Sequence, residues 1–166
     1  MDIRLEQLRA QLESAVAGRS GDQLRRHLPG KWSAAEVLEH LYLTYTITAR
    51  GLEGVMASGR PDVTKASLKQ RVVTFVVLGL GHLPTGRKSP AVAMPKGLSG
   101  EHLRSEIGGT LVAMDALIAR VEARFGPRKK VLNHPVLGPL STKQWRTLHV
   151  VHGRHHHKQL LELCKP

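Results

Sequence analysis

The chain has 166 residues, a length that favours one domain over residues 1–166 with a single core. It carries 25 Lys and Arg against 13 Asp and Glu, a formal net charge of +12, but the basic residues are dispersed and only two Phe, two Tyr and two Trp could stack on bases. We therefore do not expect specific nucleic-acid binding and attribute the charge to a solvated basic surface.

The single cysteine, Cys164, excludes an intramolecular disulfide and favours a reducing, cytoplasmic setting.

Two further features argue against a membrane location. The N-terminus is charged throughout and lacks the apolar core of a secretory signal. The longest apolar run, Val72 to Gly81, is about half the length that a helix needs to cross a bilayer. We expect an unexported protein that does not bind membranes.

The first predicted helix runs from about Asp2 to Ala17, with Gly18 ending the pattern. Apolar residues recur in it at near-helical spacing, and this stripe needs a partner surface. Its members are Ile3, Leu5, Leu8, Leu12 and Val16.

The second predicted helix begins at Ser33, where the sequence SAAE allows Ser33 and Glu36 to form a capping box. At about 100° per residue, His40 falls on the inward edge of its apolar stripe, beside Thr44. A lone histidine in this position is usually a hydrogen-bonded core or boundary residue. The stripe itself consists of Val37, Leu41, Tyr45, Thr48, Leu52 and Val55.

The middle of the chain is harder to interpret. Residues Lys65 to Leu80 predict a short, very apolar helix, although VVTFVVL also suits a buried strand. A long irregular loop from Gly81 to Gly97 follows, and long loops in compact bundles are often functional. Its basic residues, Arg87, Lys88 and Lys96, either receive an anionic ligand or are simply solvated, and we favour solvation.

The third long helix is predicted from Ser99 to Phe125. An irregular stretch, RKKVLNHPVLGPL, then leads to Ser141, which begins the last helix in a second capping box with Gln144. The third helix buries Leu103, Ile107, Leu111, Met114, Leu117, Ile118 and Val121. We predict an all-α, up-down four-helix bundle with a short extra helix and a long loop between the second and third main helices.

The last helix contains five histidines in HVVHGRHHH, residues 149–157. A helical wheel places His152 and His156 in the middle of a buried sector of roughly 120°, where uncompensated imidazoles are costly. Two histidines at i and i+4 project from one face about 6 Å apart, a separation that one metal ion can bridge. The sector comprises Trp145, Leu148, His152, His156, Gln159, Leu160 and Leu163.

From spacing alone, a metal site and a buried polar cluster are equally good interpretations. We choose His40 as the third ligand, which leaves coordination positions free for water and substrate. His149 lies near the same sector, so a ligand pair of His149 and His152 stays open. Gln159 either orients a ligand imidazole or fills the boundary, whereas His155 and His157 are assigned to the surface. The sequence lacks the H-E-x-x-H pattern of zinc proteases.

Two segments, KWSAAEVLEHL (31–41) and HPVLGPLSTKQWRTLHVVHGRHHHKQL (134–160), resemble the DinB-like superfamily of metal-binding four-helix bundles. The family pattern W-S-x-x-E-x-x-x-H-L and a late H-x-x-x-H-x-x-Q match at His40, His152, His156 and Gln159. The resemblance implies that the three histidines bind a divalent transition metal, with zinc or nickel preferred.

The resemblance also implies a function, because characterised relatives include thiol S-transferases and a thiol-dependent isomerase. A metal-dependent transferase acting on a small molecule with a low-molecular-weight thiol is thus expected, or a hydrolase acting through metal-bound water. The general acid or base is unidentified, with Tyr45, Glu39 and His149 as candidates only.

Two functions remain as alternatives to an enzyme. One is a non-catalytic module that holds a metal and a ligand in a stress response, and the less favoured one is a basic nucleic-acid-associated protein. A homodimer is also considered, since the apolar segment 72–81 is either core, which we favour, or a dimer face.

Overall fold

A computed structural model describes residues 1–83 and 89–165 of the chain. Four long helices dominate it, and between them lie two short helices, a π-helical turn, a 3-10 turn and one β-hairpin. The long helices are α1 (Ile3–Val16), α3 (Ala34–Ser58), α5 (Gly100–Phe125) and α6 (Thr142–Leu163). The short elements are α2 (Gly21–Leu24), α4 (Leu68–Thr74), the π-helical Phe75–Gly79, the 3-10 turn Ala91–Ala93, β1 (Lys130–His134) and β2 (Gly138–Ser141).

Both predicted capping boxes start the helices that carry the histidines. The Ser33 hydroxyl accepts a hydrogen bond from the Glu36 amide, while the Glu36 carboxylate accepts one from the Ser33 amide. Ser141 and Gln144 make the same reciprocal pair at α6. These boxes fix where α3 and α6 begin.

The core lies between the four long helices, with α3 packed along α5, and α1 packed against both α5 and α6. The predicted stripes of α3 and α5 are buried, apart from Leu117, which is half-buried. In α1 the prediction is wrong for Ile3, which is 68% exposed because it sits in the first turn, beyond the packed surface. The chain is therefore mostly helical around one apolar cluster, as predicted.

Gly153 permits the close approach of α1 to the histidine helix. A Cβ atom at this position would overlap the Leu8 side chain, which is itself fully buried. The absence of a side chain thus lets α6 contact α1 between His152 and Arg154.

The β-hairpin replaces the irregular stretch expected before α6. Strands β1 and β2 pair antiparallel, with Leu132 opposite Leu140 and His134 opposite Gly138. Two prolines and one glycine in RKKVLNHPVLGPL gave this stretch the appearance of a loop, yet Val131, Leu137 and Leu140 are buried in the core. Tertiary burial of these apolar residues decides the strand conformation.

The apolar segment before the long loop is helical, so the alternative of a buried strand is wrong. It forms α4 and continues into the π-helical turn. Its expected burial is also largely wrong, because Val72, Phe75 and Leu80 are each more than 60% exposed. Only Val77 is buried, with Val73 and Leu78 packed against the core. The homodimer stays a prediction.

The described part of the long loop includes the 3-10 turn, which rests on α3. Arg87 and Lys88, considered as anion-binding residues, lie outside the described residues. Lys96 is described and exposed. Across residues 1–83 and 89–165, none of the helices combines the length and the apolarity needed to traverse a bilayer.

Candidate metal centre

Three histidines from two helices meet at one point of the interior. His40 comes from α3, and His152 and His156 come from successive turns of α6. Each offers a ring nitrogen, and these nitrogens all lie within 4.8 Å of one another. The Nε2 atom of His152 is 3.1 Å from that of His40 and 3.0 Å from that of His156. The structure thus brings together the three residues chosen from the sequence.

Two of these rings are held by hydrogen bonds on their far side. The Nδ1 atom of His40 lies 2.7 Å from the carbonyl oxygen of Ala93, which can only accept a hydrogen bond. Nδ1 of His40 therefore carries the proton, and its Nε2 presents a lone pair to the centre. Nδ1 of His156 similarly donates to Oε1 of Gln159 at 2.8 Å. The contact predicted between Gln159 and a ligand imidazole is present.

The donor arrangement fits a bound cation. Two Nε2 lone pairs face the single Nε2 atom of His152, which can donate at most one proton and so satisfies at most one of them. Nitrogens bound to one tetrahedral metal ion at about 2.0–2.1 Å lie about 3.3 Å apart, close to the two separations that involve His152, 3.1 and 3.0 Å. Neutral imidazoles suit zinc, nickel, copper and iron, so the donor set does not single out one ion.

Burial keeps the three imidazoles in the form that binds metal. It lowers the pKa of His156 from 6.5 to about 3, with the neighbouring His40 adding to the shift. Burial also lowers the pKa of His40, although the hydrogen bond to Ala93 opposes the shift. For His152, burial and then the nearby His156 and His40 hold the pKa well below 6.5. At neutral pH all three rings are uncharged and have a lone pair available.

Residues around the centre include some that sequence reasoning had not connected with it. The Trp32 ring packs 5.3 Å from the His40 ring, and Ala93 supplies the carbonyl described above. Trp32 belongs to the KWS motif, so its position was the one available signal. A backbone carbonyl has no sequence signal, because any residue can provide it.

Three candidates for a general acid or base lie in different surroundings. Glu39 is buried, and its carboxylate accepts hydrogen bonds from the backbone amides of Lys96, Gly97 and Leu98. Tyr45 and His149 are fully buried, and the centroids of their rings are 5.4 Å apart. None of the three has a contact with the three histidine Nε2 atoms among the described hydrogen bonds.

Tyr45, His149 and Trp145 form a second polar group, here called the Tyr45 cluster. His149 stacks on Trp145 with 5.7 Å between ring centroids. The Tyr45 hydroxyl, the Trp145 Nε1 and both His149 ring nitrogens are buried without a hydrogen-bond partner among the described residues. Burial, followed by the charge of His134, lowers the pKa of His149 to about 3. The structure does not bring His149 into the three-histidine cluster.

The remaining residues of the histidine helix divide between boundary and surface. His155 and His157 are half-buried, and Nε2 of His155 lies 3.2 Å from Nε2 of Gln159. Arg146 lies outside the predicted buried sector, yet its side chain is only 14% exposed and pairs with the buried Asp115 and with Glu122, each at 2.7 Å. The wheel could not anticipate these partners, because both lie on α5.

The mostly helical fold and the convergence of His40, His152 and His156 define a helical protein with a candidate trihistidine metal centre. The family model of the DinB superfamily matches residues 4–160, and the chain belongs to that superfamily. No curated protein and no solved structure gives a significant match to the chain.

Proposed function

We propose that this protein binds one divalent transition metal ion, zinc or nickel, through His40, His152 and His156. The observation that carries the proposal is the convergence of three neutral imidazole nitrogens, two of them with a lone pair fixed toward the centre by a hydrogen bond on the other side of the ring. Imidazoles with such anchored far nitrogens are characteristic of metal ligands. Membership of the DinB superfamily supports the same assignment.

The proposed activity is the transfer of a small thiol to an electrophilic small molecule. His40, His152 and His156 would hold the metal and leave coordination open, and the metal would lower the pKa of a thiol so that its proton passes to solvent. The thiolate sulfur would then bond to the electrophilic carbon while the electrophile's leaving group departs with the electrons of the broken bond. The protein then needs no general base for this step. This agrees with the buried positions of Tyr45 and His149 and with the backbone contacts of Glu39. The roles left to the chain are to hold the three imidazoles and to shape the electrophile pocket.

A hydrolase and a non-catalytic module are the other functions for this site. Hydrolysis of an ester or amide uses a proton donor for the leaving group, and no such donor contacts the centre among the described side chains. A module that holds a metal and a ligand without turnover needs the same three histidines.

The up-down order of the four long helices, in one domain over residues 1–166, is part of the proposal.

The first experiment measures metal per chain. Tag-free protein, purified without a metal column, is analysed by elemental mass spectrometry alongside His40→Ala, His152→Ala and His156→Ala. We expect about one metal ion per wild-type chain and less than a tenth of that in each variant, because two imidazoles hold these ions weakly. His157→Ala, on the same helix but outside the cluster, should retain full occupancy.

A second experiment separates the proposed activities. Cobalt-loaded protein is titrated with mercaptoethanol, and a sulfur-to-cobalt charge-transfer band is expected if a thiol occupies the open coordination position. Protein that binds cobalt but develops no such band would contradict the thiol-transfer proposal. A band without turnover of any electrophile tested would favour the non-catalytic module. Metal-free wild-type protein that cannot be loaded would overturn the metal site itself.

A further inference from the structure

Glu39, the residue before the proposed ligand His40, makes an unusual set of contacts for a buried carboxylate. Its side chain is 1% exposed, and Oε1 accepts from the Lys96 amide at 2.7 Å. Oε2 accepts from the amides of Gly97 and Leu98 at 2.9 and 3.0 Å. Hydrogen bonds from amides to an ionised acceptor are about twice as strong as those between neutral groups. Glu39 thus fixes the backbone of three consecutive loop residues.

The conformation of the loop is built for this contact. Gly97 has a φ of +93°, a value that residues with a side chain rarely adopt. This conformation lets successive amides converge on one anion. A Cβ at Gly97 would meet no atom within 4 Å, so the glycine serves the backbone conformation and not the space available.

The same loop segment holds the next residue of α3. Ala93 is buried, and its carbonyl oxygen accepts the hydrogen bond from Nδ1 of His40. Two neighbouring side chains of one helix, Glu39 and His40, are therefore bonded to one short segment, residues 91–98. The two contacts have different consequences: the first fixes the segment, and the second fixes the proton and the orientation of an imidazole.

We propose that Glu39 is a positioning residue for the metal centre, acting through residues 91–98 on His40. By holding the amides of Lys96, Gly97 and Leu98, it places the Ala93 carbonyl where that carbonyl sets the tautomer and direction of the His40 ring. This inference rests on the proposed metal site. It assigns Glu39 a role different from that of a general base, for which its oxygens would have to face the substrate.

Linkage gives the proposal a second consequence. If the fixed segment strengthens metal binding, metal binding must stabilise the segment by the same factor. The amides that Glu39 accepts from should then exchange with solvent more slowly in the metal-loaded protein. If the carboxylate merely stabilised the fold, these amides would slow on metal loading no more than other buried amides do as the metal stabilises the whole fold.

The test compares Glu39→Gln with Glu36→Gln. The second variant is the matched control, since Glu36 is one turn earlier on α3 and bonds to the Ser33 amide instead of the loop. Metal affinity is measured by competition with a chromophoric chelator. Loss of an outer partner of a metal ligand typically weakens binding 10- to 100-fold, and because Glu39 acts on such a partner, the Ala93 carbonyl, the lower end of this range, about tenfold, is expected for Glu39→Gln. Glu36→Gln should change the affinity less than about threefold, because Gln also completes a capping box, as Gln144 does at α6, and so keeps the helix start.

Two further measurements keep the result independent of whether Glu39→Gln folds. Hydrogen exchange of the Lys96, Gly97 and Leu98 amides in wild-type protein should slow on metal loading by a larger factor than that of buried amides elsewhere in the fold. Gly97→Ala, which disfavours the same loop conformation without touching Glu39, should also weaken metal binding about tenfold or more.

The outcomes separate this inference from the proposed function. Wild-type protein that binds no metal would overturn both. Wild-type protein that binds metal would uphold the site, but equal affinities in wild type, Glu39→Gln and Gly97→Ala would overturn the role of Glu39. Exchange at residues 96–98 that slows no more than exchange elsewhere in the fold when metal is loaded would also overturn it.

Discussion

The three-histidine cluster and the Tyr45 cluster occupy neighbouring turns of the same helix and differ in one physical respect. Both contain histidines of α6 that are packed against aromatic rings or other imidazoles, and burial lowers the pKa of His149 as much as that of His156, to about 3 in each case. In the first cluster, however, far-side hydrogen bonds aim the lone pairs of His40 and His156 at one point. In the second, four polar atoms are buried with no partner among the described residues.

The difference shows which observation identifies a ligand site. A shifted histidine pKa reports burial, and burial is shared by both clusters. Only the three-histidine cluster has convergent lone pairs on rings whose tautomers are fixed by hydrogen bonds. Lone pairs aimed at one point create a negative potential there, which a bound cation would neutralise. The comparison can be tested by changes that should affect one cluster and leave the other intact.

The largest expected effect concerns acid stability through His149. Its pKa is 6.5 in the unfolded chain and about 3 in the fold, so the unfolded state takes up a proton first as the pH falls below 6.5. Above pH 6.5 this residue does not reduce the free energy of unfolding. As the pH falls from 6.5 to 3, the free energy of unfolding decreases, and the decrease due to His149 reaches about 3 kcal/mol at about pH 4. Urea unfolding of metal-free wild type and His149→Gln, at neutral pH and at about pH 4, measures it.

The variant cannot titrate, so its stability should fall less on acidification. His157→Gln, at a more exposed position of α6, is the control and should keep most of the wild-type pH dependence. Parallel pH profiles for wild type and His149→Gln would show that His149 is not held neutral in the fold. Metal content at neutral pH should be normal in His149→Gln, because this residue belongs to the Tyr45 cluster.

The next effect concerns the anchor of His156. Gln159→Leu removes the acceptor of its Nδ1 proton and should weaken metal binding about 10- to 100-fold with little change in unfolding free energy. Chelator competition measures the affinity. Glu162→Gln, an exposed position on the next turn, serves as the control and should bind metal like wild type. An unchanged affinity in Gln159→Leu would mean that packing alone orients the His156 ring.

The smallest effect is expected for Tyr45→Phe. The buried hydroxyl has no partner among the described residues, so its removal should leave stability unchanged or raise it by up to about 1 kcal/mol. Thermal or urea unfolding of the metal-loaded protein checks this, and metal content should be unaffected. A loss of more than about 1 kcal/mol would reveal a hydrogen bond at the Tyr45 hydroxyl and would make the two clusters more alike than their contacts indicate.

Sequence reasoning succeeded where local chemistry is decisive. The capping boxes at Ser33 and Ser141 fixed the starts of α3 and α6, and the 3.6-residue period then placed His40 and His156 on buried faces. It failed where burial by distant segments overrides local preference. The hairpin at Lys130–Ser141 looked irregular from its two prolines and its glycine, and Phe75 looked like core although it lies on the surface.

The sequence by itself determined the helical class, the superfamily and the three histidines of the candidate centre, because periodicity, caps and ligand spacing are all local properties of the chain. Only the tertiary structure decided that Ala93 and Gln159 hold the His40 and His156 rings, that Glu39 binds a loop nearly 60 residues away in the chain, and that His149 stands apart. The physical reason is that a hydrogen-bond partner is selected by position in space, and backbone groups that accept or donate are the same in every residue.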